Sequence, residues 1–280
     1  MAPEGEEPAD ASSGPRMTVL LVNQSSSMTK ELEDYGISMA EGVADVLNLY
    51  LQKVTQKRDE DRRKGGSEFD SANFGILVIG YGARGAMAER VFQMDQGETW
   101  ANETMTRSQS ATTSSDEALS TFSIWIDGVA GSPQASLSEA IDVAADFLEA
   151  WVASHRLAPA PYVVSLTDGT FTGPDPRKAV ERLTSLSTLN GKTVVWTCQL
   201  TTDRGRKPVL FPNDAGLLGP ATASSALFQA TSGFPTEAVS NLMMEFPEVS
   251  KLEGAKAAVF DADLRTLVRF LAFVTRVPLP

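Results

Sequence analysis

Short apolar runs alternate with longer amphipathic stretches along most of this chain. TVLLVN (residues 18–23) is apolar at nearly every position, which suits a strand buried on both faces. FGILVIGYG (74–82), YVVSLTDG (162–169), KTVVWTCQL (192–200) and AKAAVF (255–260) predict further strands of the same kind. MAERVFQM (87–94) predicts a short edge strand, and TFSIWIDG (121–128) alternates like a half-buried one. Between them, Ile37, Ala40, Val43, Ala44 and Leu47 follow three- and four-residue spacing and predict a helix over 30–57. Leu137, Ile141, Ala144, Ala145 and Leu148 do the same over 136–153. Further helices are predicted at 176–189, 221–231, 236–244 and 261–275. Strands alternating with helices predict an α/β fold: a doubly wound, mainly parallel sheet with helices on both faces.

The same pattern sets the expected domain organisation. Residues 1–16 are acidic, rich in Pro, Gly, Ala and Ser, and read as a disordered tail. Residues 17–280 read as one domain, with a polar surface excursion at about 96–119 and a solvated charged connector, KRDEDRRKGG, at 57–66. With 42% hydrophobic and 21% charged residues, the chain has the composition of a soluble globular protein. No apolar stretch approaches the roughly 18 residues that cross a bilayer, and the N-terminus has neither the basic start nor the apolar segment of a signal peptide.

Charge and cysteine count narrow the function classes. A formal net charge of -12 argues against nucleic acid, whose binders neutralise phosphates with Lys and Arg, and against anionic membrane surfaces. Cations and basic protein surfaces are the natural partners. A single cysteine, Cys198, excludes an intramolecular disulfide and a cysteine metal cluster. Together these predict a cytoplasmic protein.

In an open parallel sheet, ligands bind beyond the carboxyl ends of the strands. Three polar clusters are expected at such ends: residues 23–27, 131–133 and Asp168. Serine hydroxyls, one or two acids and water make a site for a hard cation such as Mg²⁺. LLVNQSSSM resembles the first segment of the metal-ion-dependent adhesion site of von Willebrand factor A (vWA) domains, a hydrophobic strand followed by Asp-x-Ser-x-Ser. SLTDG resembles the third segment, a strand ending in Thr-Asp-Gly, and GSP resembles the Gly-Thr-Pro between them. The resemblance covers about residues 18–260, and the closing segments look most like a cytosolic bacterial branch encoded beside MoxR-type AAA+ ATPases or in stress and defence loci.

That resemblance implies a non-catalytic protein-binding module, an adaptor or assembly subunit of a multi-protein system. It implies Ser25 and Ser27 as direct metal ligands, Ser132 in place of threonine, and Asp168 acting directly or through water. The ion would be Mg²⁺, with Mn²⁺ or Ca²⁺ as alternatives. The partner would offer an Asp or Glu carboxylate, and would be an AAA+ ATPase or another subunit of the same system. Asn23 stands where the family has its first aspartate, so one full negative charge is missing. Phe171, just beyond Asp168 in GTFTGPDP, is expected on the rim as a partner contact.

Each residue also has a plainer reading. Ser25 and Ser27 suit a helix cap, Ser132-Pro133 a cap with proline at the first helical position, and Asp168-Gly169 an ordinary turn. Gly80, Gly82 and Gly85 spell G-x-G-x-x-G, but after the second strand and before too short a segment for a dinucleotide fold, so a glycine-rich turn is expected. His155, the one histidine, falls at the far end of the 136–153 helix, about 30 Å from the serines at 1.5 Å per residue. A Ser–His–Asp hydrolase is therefore disfavoured. Two further classes remain as alternatives: a structural subunit with a dead metal site, for which Asn23 speaks, and a hydrolase or nucleotide-dependent enzyme.

Overall fold

A computed structural model describes residues 16–64, 74–83, 88–95, 98–101, 105–110, 119–128, 131–219 and 222–275. Eight strands make the main sheet: β1 (Arg16–Asn23), β2 (Phe74–Tyr81), β3 (Ala88–Asp95), β4 (Glu98–Ala101), β5 (Tyr162–Thr167), β6 (Val194–Leu200), β7 (Val209–Leu210) and β8 (Ala258–Ala262). Their order across the sheet is β7-β8-β6-β5-β1-β2-β3-β4. The five central strands, β8 to β2, run parallel, and the outer strands β7, β3 and β4 are antiparallel to their neighbours. The chain moves from β1 to β2 on one side and returns to β5 on the other, so the order reverses between β1 and β5. That reversal opens a crevice at their carboxyl ends.

Because successive side chains on a strand point to opposite faces, an apolar run must be covered twice. In β1, Leu20 and Val22 join the core under α1 (Met39–Lys64), α5 (Val239–Glu245) and α6 (Leu264–Thr275). Met17, Val19 and Leu21 join the core under α2 (Leu137–Ser154), α3 (Arg177–Ser185) and α4 (Thr222–Ala230). The fold is thus doubly wound, as the alternation of elements predicts.

Several elements differ in detail. The helix expected from residue 30 starts only at Met39; before it come a 3-10 turn (Ser26–Thr29) and a short hairpin, Glu31–Leu32 with Ile37–Ser38. Gly36, at φ 63°, makes the hairpin turn. Ser38 and Glu41 then cap each other: Glu41 accepts from the Ser38 N–H and Ser38 Oγ accepts from the Glu41 N–H. At its other end α1 continues to Lys64, so most of the charged run expected as a connector is helix.

The strand at 87–94 is not an edge, because β4 pairs outside it. Part of the polar excursion at 96–119 is also strand: it supplies β4 and Met105–Ser110. Met105–Ser110 pairs with Leu119–Ile124 in a separate antiparallel ribbon, so TFSIWIDG is not a strand of the main sheet. The tail expected at 1–16 lies outside the described residues, apart from Arg16.

Cys198 sits in β6 with no solvent exposure. Burial pushes its thiol above the usual thiol range, and the charge of Asp263 adds to this. The native protein should therefore resist thiol reagents, since only the thiolate reacts. A labelling rate that rises with denaturant in step with global unfolding is the expected result.

Candidate functional site

The rim begins where β1 ends. Asn23 is buried, and its side-chain orientation is set by its neighbours at both ends. Oδ1 accepts from the backbone N–H of Ser25 at 3.0 Å, which requires an oxygen there. Nδ2 faces three acceptors: Asp168 Oδ1 at 3.2 Å, the Thr170 carbonyl at 3.2 Å and Thr167 Oγ1 at 3.4 Å. The amide therefore turns its donor, not its oxygen, toward the acid.

Asp168 leaves the end of β5 with its side chain only 2% exposed. Oδ1 accepts from Asn23 Nδ2, from the Thr170 N–H at 3.0 Å and from Thr170 Oγ1 at 2.7 Å. Oδ2 meets Lys30 Nζ at 3.4 Å. Ser25 Oγ lies 2.9 Å from Ser27 Oγ, which lies 2.6 Å from Thr170 Oγ1. The Thr170 hydroxyl has one proton and two acceptors in reach, Asp168 Oδ1 and Ser27 Oγ, while either serine hydroxyl can donate in the Ser25–Ser27 pair.

Below this layer, Tyr81 at the end of β2 is fully buried. Burial pushes its hydroxyl above the ordinary tyrosine range, and the Asp168 charge adds to this against the opposing Thr167 and Ser165 hydroxyls. Those two hydroxyls lie nearby, yet none closes a well-formed hydrogen bond to Tyr81 Oη. Tyr81 stays neutral and adds no charge to the site.

Ser132 reaches the rim through its backbone. Its carbonyl accepts from the Ser26 N–H at 2.8 Å, and its N–H donates to the Gly82 carbonyl at 2.8 Å. Its hydroxyl accepts from the Gln134 N–H at 3.1 Å. The cap of α2 is Ser136, whose hydroxyl accepts from the Glu139 N–H, so Ser132 is not the helix cap. Further back, buried Asn48 of α1 fixes the approach to this loop by pairing with the backbone of Trp125 and Ile126.

Gly82 explains the apparent dinucleotide motif. It turns at φ 88°, and a Cβ there would lie 2.9 Å from the Ser25 Cβ and 3.1 Å from the Gln134 carbonyl. The glycine lets β2 end against the serine loop. Gly85 lies outside the described residues.

Phe171 is not displayed as expected. It is half-buried and packs against the core beneath α2, because the turn after Thr170 brings the Thr172 N–H to the Ala135 carbonyl at 2.7 Å. His155 ends α2, stacked on Trp151 with ring centroids 4.5 Å apart. Of the residues named from sequence, Asn23, Ser25, Ser27 and Asp168 share the rim network and Ser132 adjoins it by backbone. Thr170 was missed, although it stands out as a hydroxyl two residues past the acid. Lys30 is the lysine nearest the serines in sequence and suits a solvated position, but nothing local marks it as the partner of a residue 138 positions away.

These residues do not fit a resident divalent cation. A hard cation takes oxygen ligands, yet an amide NH₂ stands where a second carboxylate would be, and an ammonium already faces the one acid. Among the described residues no group of three or more His, Cys, Asp or Glu is placed to hold a metal.

No protein-family model matches the sequence. No curated protein matches it. Among solved structures it is similar to an aerotolerance-related membrane protein from Bacteroides fragilis, a form with multiple mutations to serines, at 14% identity and a TM-score of 0.34. That similarity covers 66% of each chain. No helix among the described residues is long and apolar enough to cross a membrane.

Proposed function

We propose that this chain is a non-catalytic protein-binding module of the vWA type, whose rim between β1 and β5 receives a carboxylate from a protein partner. The observation that carries this reading is the buried Asp168 at the switch between those strands, ringed by Ser25, Ser27 and Thr170 and facing an exposed ammonium. Such a rim offers hydroxyls and one positive charge to an acidic side chain. The one histidine caps the far end of α2, so the serines have no imidazole base at hand. The LLVNQSSSM, GSP and SLTDG segments support an adaptor or assembly role in a cytoplasmic multi-protein system, with an AAA+ ATPase or a sister subunit as partner.

The orientation of Asn23 supports a second reading, in which the rim is a spent metal site and the domain serves as a structural subunit. Affinity capture from the native host separates the two. Thr170→Glu sets an anion beside Asp168 and should weaken retention of a partner carboxylate at the rim by about tenfold or more, a loss of about 1.4 kcal/mol. Retention that is indifferent to Thr170→Glu and to Ser27→Glu favours the structural subunit.

A further inference from the structure

The rim holds the elements of a cation site but satisfies them without a metal. We propose that Lys30 is the resident cation: its ammonium takes the place of a divalent ion, and the partner's carboxylate is received by Lys30 and the rim hydroxyls in a metal-independent manner. This deepens the partner-binding reading and rests on it.

Three features carry the inference. The first is the locked amide of Asn23. Turning its oxygen toward a metal would break the bond from the Ser25 N–H and leave Asp168 and the Thr170 carbonyl facing an oxygen. Since buried polar groups require partners, that rotation is opposed at three points.

The second is the placement of Lys30. An almost fully buried carboxylate needs a counter-charge within reach, and Lys30 Nζ supplies it at 3.4 Å. The backbone of Lys30 is itself fixed, because its carbonyl accepts from the Met39 N–H at 2.9 Å across the Glu31–Ser38 hairpin. Its side chain is 56% exposed, against 2% for Asp168. The ammonium thus faces the acid on one side and solvent on the other. It carries three donors, and the bond to Asp168 uses one.

The third is the hydroxyl chain. The Ser25, Ser27 and Thr170 hydroxyls link to one another and, through Thr170, to Asp168 Oδ1. With the charge of the acid already met, a hydroxyl that turns from this network can donate to an incoming carboxylate beside Lys30. Restoring a metal site takes two changes: an acid at position 23 and loss of the ammonium.

Calorimetric titration of the full chain with Mg²⁺ and Mn²⁺ tests this. The native protein should give heats indistinguishable from those of Asp168→Ala through millimolar metal, and its Tm should not respond to EDTA. The double variant Asn23→Asp/Lys30→Met should bind saturably, with at least a tenfold gain in affinity over Lys30→Met alone. If the double variant does not fold, the native protein against Asp168→Ala or Asp168→Asn still decides. Submillimolar binding by the native protein, abolished in those variants, overturns the inference, because the ammonium would then yield to a metal. That outcome leaves partner binding intact; failure of the partner reading appears separately, as capture unaffected by Thr170→Glu.

Discussion

Asn23→Asp should destabilise the metal-free protein by about 3–5 kcal/mol, the cost of an uncompensated buried charge. The amide donates to Asp168 Oδ1 at 3.2 Å, and an aspartate would present a second anion at that distance. It would also turn an oxygen toward the Thr170 carbonyl, which now accepts from the amide. Two like charges so close cannot both ionise readily, so one carboxyl should take up a proton with a raised pKa. The variant should therefore recover stability as pH falls through that raised pKa and lose it as pH rises. Thermal melts across the acidic range, with and without Mg²⁺, check both signs. A variant as stable as the native protein at neutral pH without metal would mean that the amide is not holding the site.

Phe273→Ala should cost about 3–5 kcal/mol, in the range of large-to-small changes at fully packed aromatic positions. Phe273 is buried on α6 and packs against four rings, with centroid separations of 5.4 Å to Trp196, 5.6 Å to Phe211, and 6.0 Å to both Phe234 and Phe246. Those rings come from β6, the segment after β7, the loop before α5 and the end of α5. Losing the central ring opens a cavity that four separate chain segments border, so none can close it alone. Denaturant unfolding followed by far-ultraviolet circular dichroism measures the loss. A change below about 1 kcal/mol would show that the cluster relaxes around the gap.

The central strands were legible because both of their faces are covered. β1, β5 and β6 run apolar through both alternations, and that pattern survives without knowledge of neighbours. The start of α1 was obscured by Ile37, which fits helical spacing while lying in the hairpin; the glycine turn at Gly36 and the S-x-x-E pair Ser38–Glu41 were the local signals against it. Alternation at 121–128 marks a strand but not its partner, which is why the ribbon with Met105–Ser110 was not foreseen.

At the rim, residue types were readable and their hydrogen-bond roles were not. Asn23 was recognisable as a missing charge, yet which end of its amide faces Asp168 depends on where the Ser25 N–H points. The Lys30–Asp168 pair joins residues 138 positions apart, and no periodicity encodes such a meeting. Phe171 shows the reverse case: a rim position in sequence becomes a core contact once the turn folds back.

Anomalous diffraction from crystals grown in millimolar Mn²⁺ locates the positive charge of the rim. No manganese peak should stand beside Ser25, Ser27 and Asp168, and Lys30 Nζ should lie against Asp168 Oδ2. A manganese peak bridging Ser27 and Asp168, with Lys30 turned out to solvent, would contradict Lys30 as the resident cation.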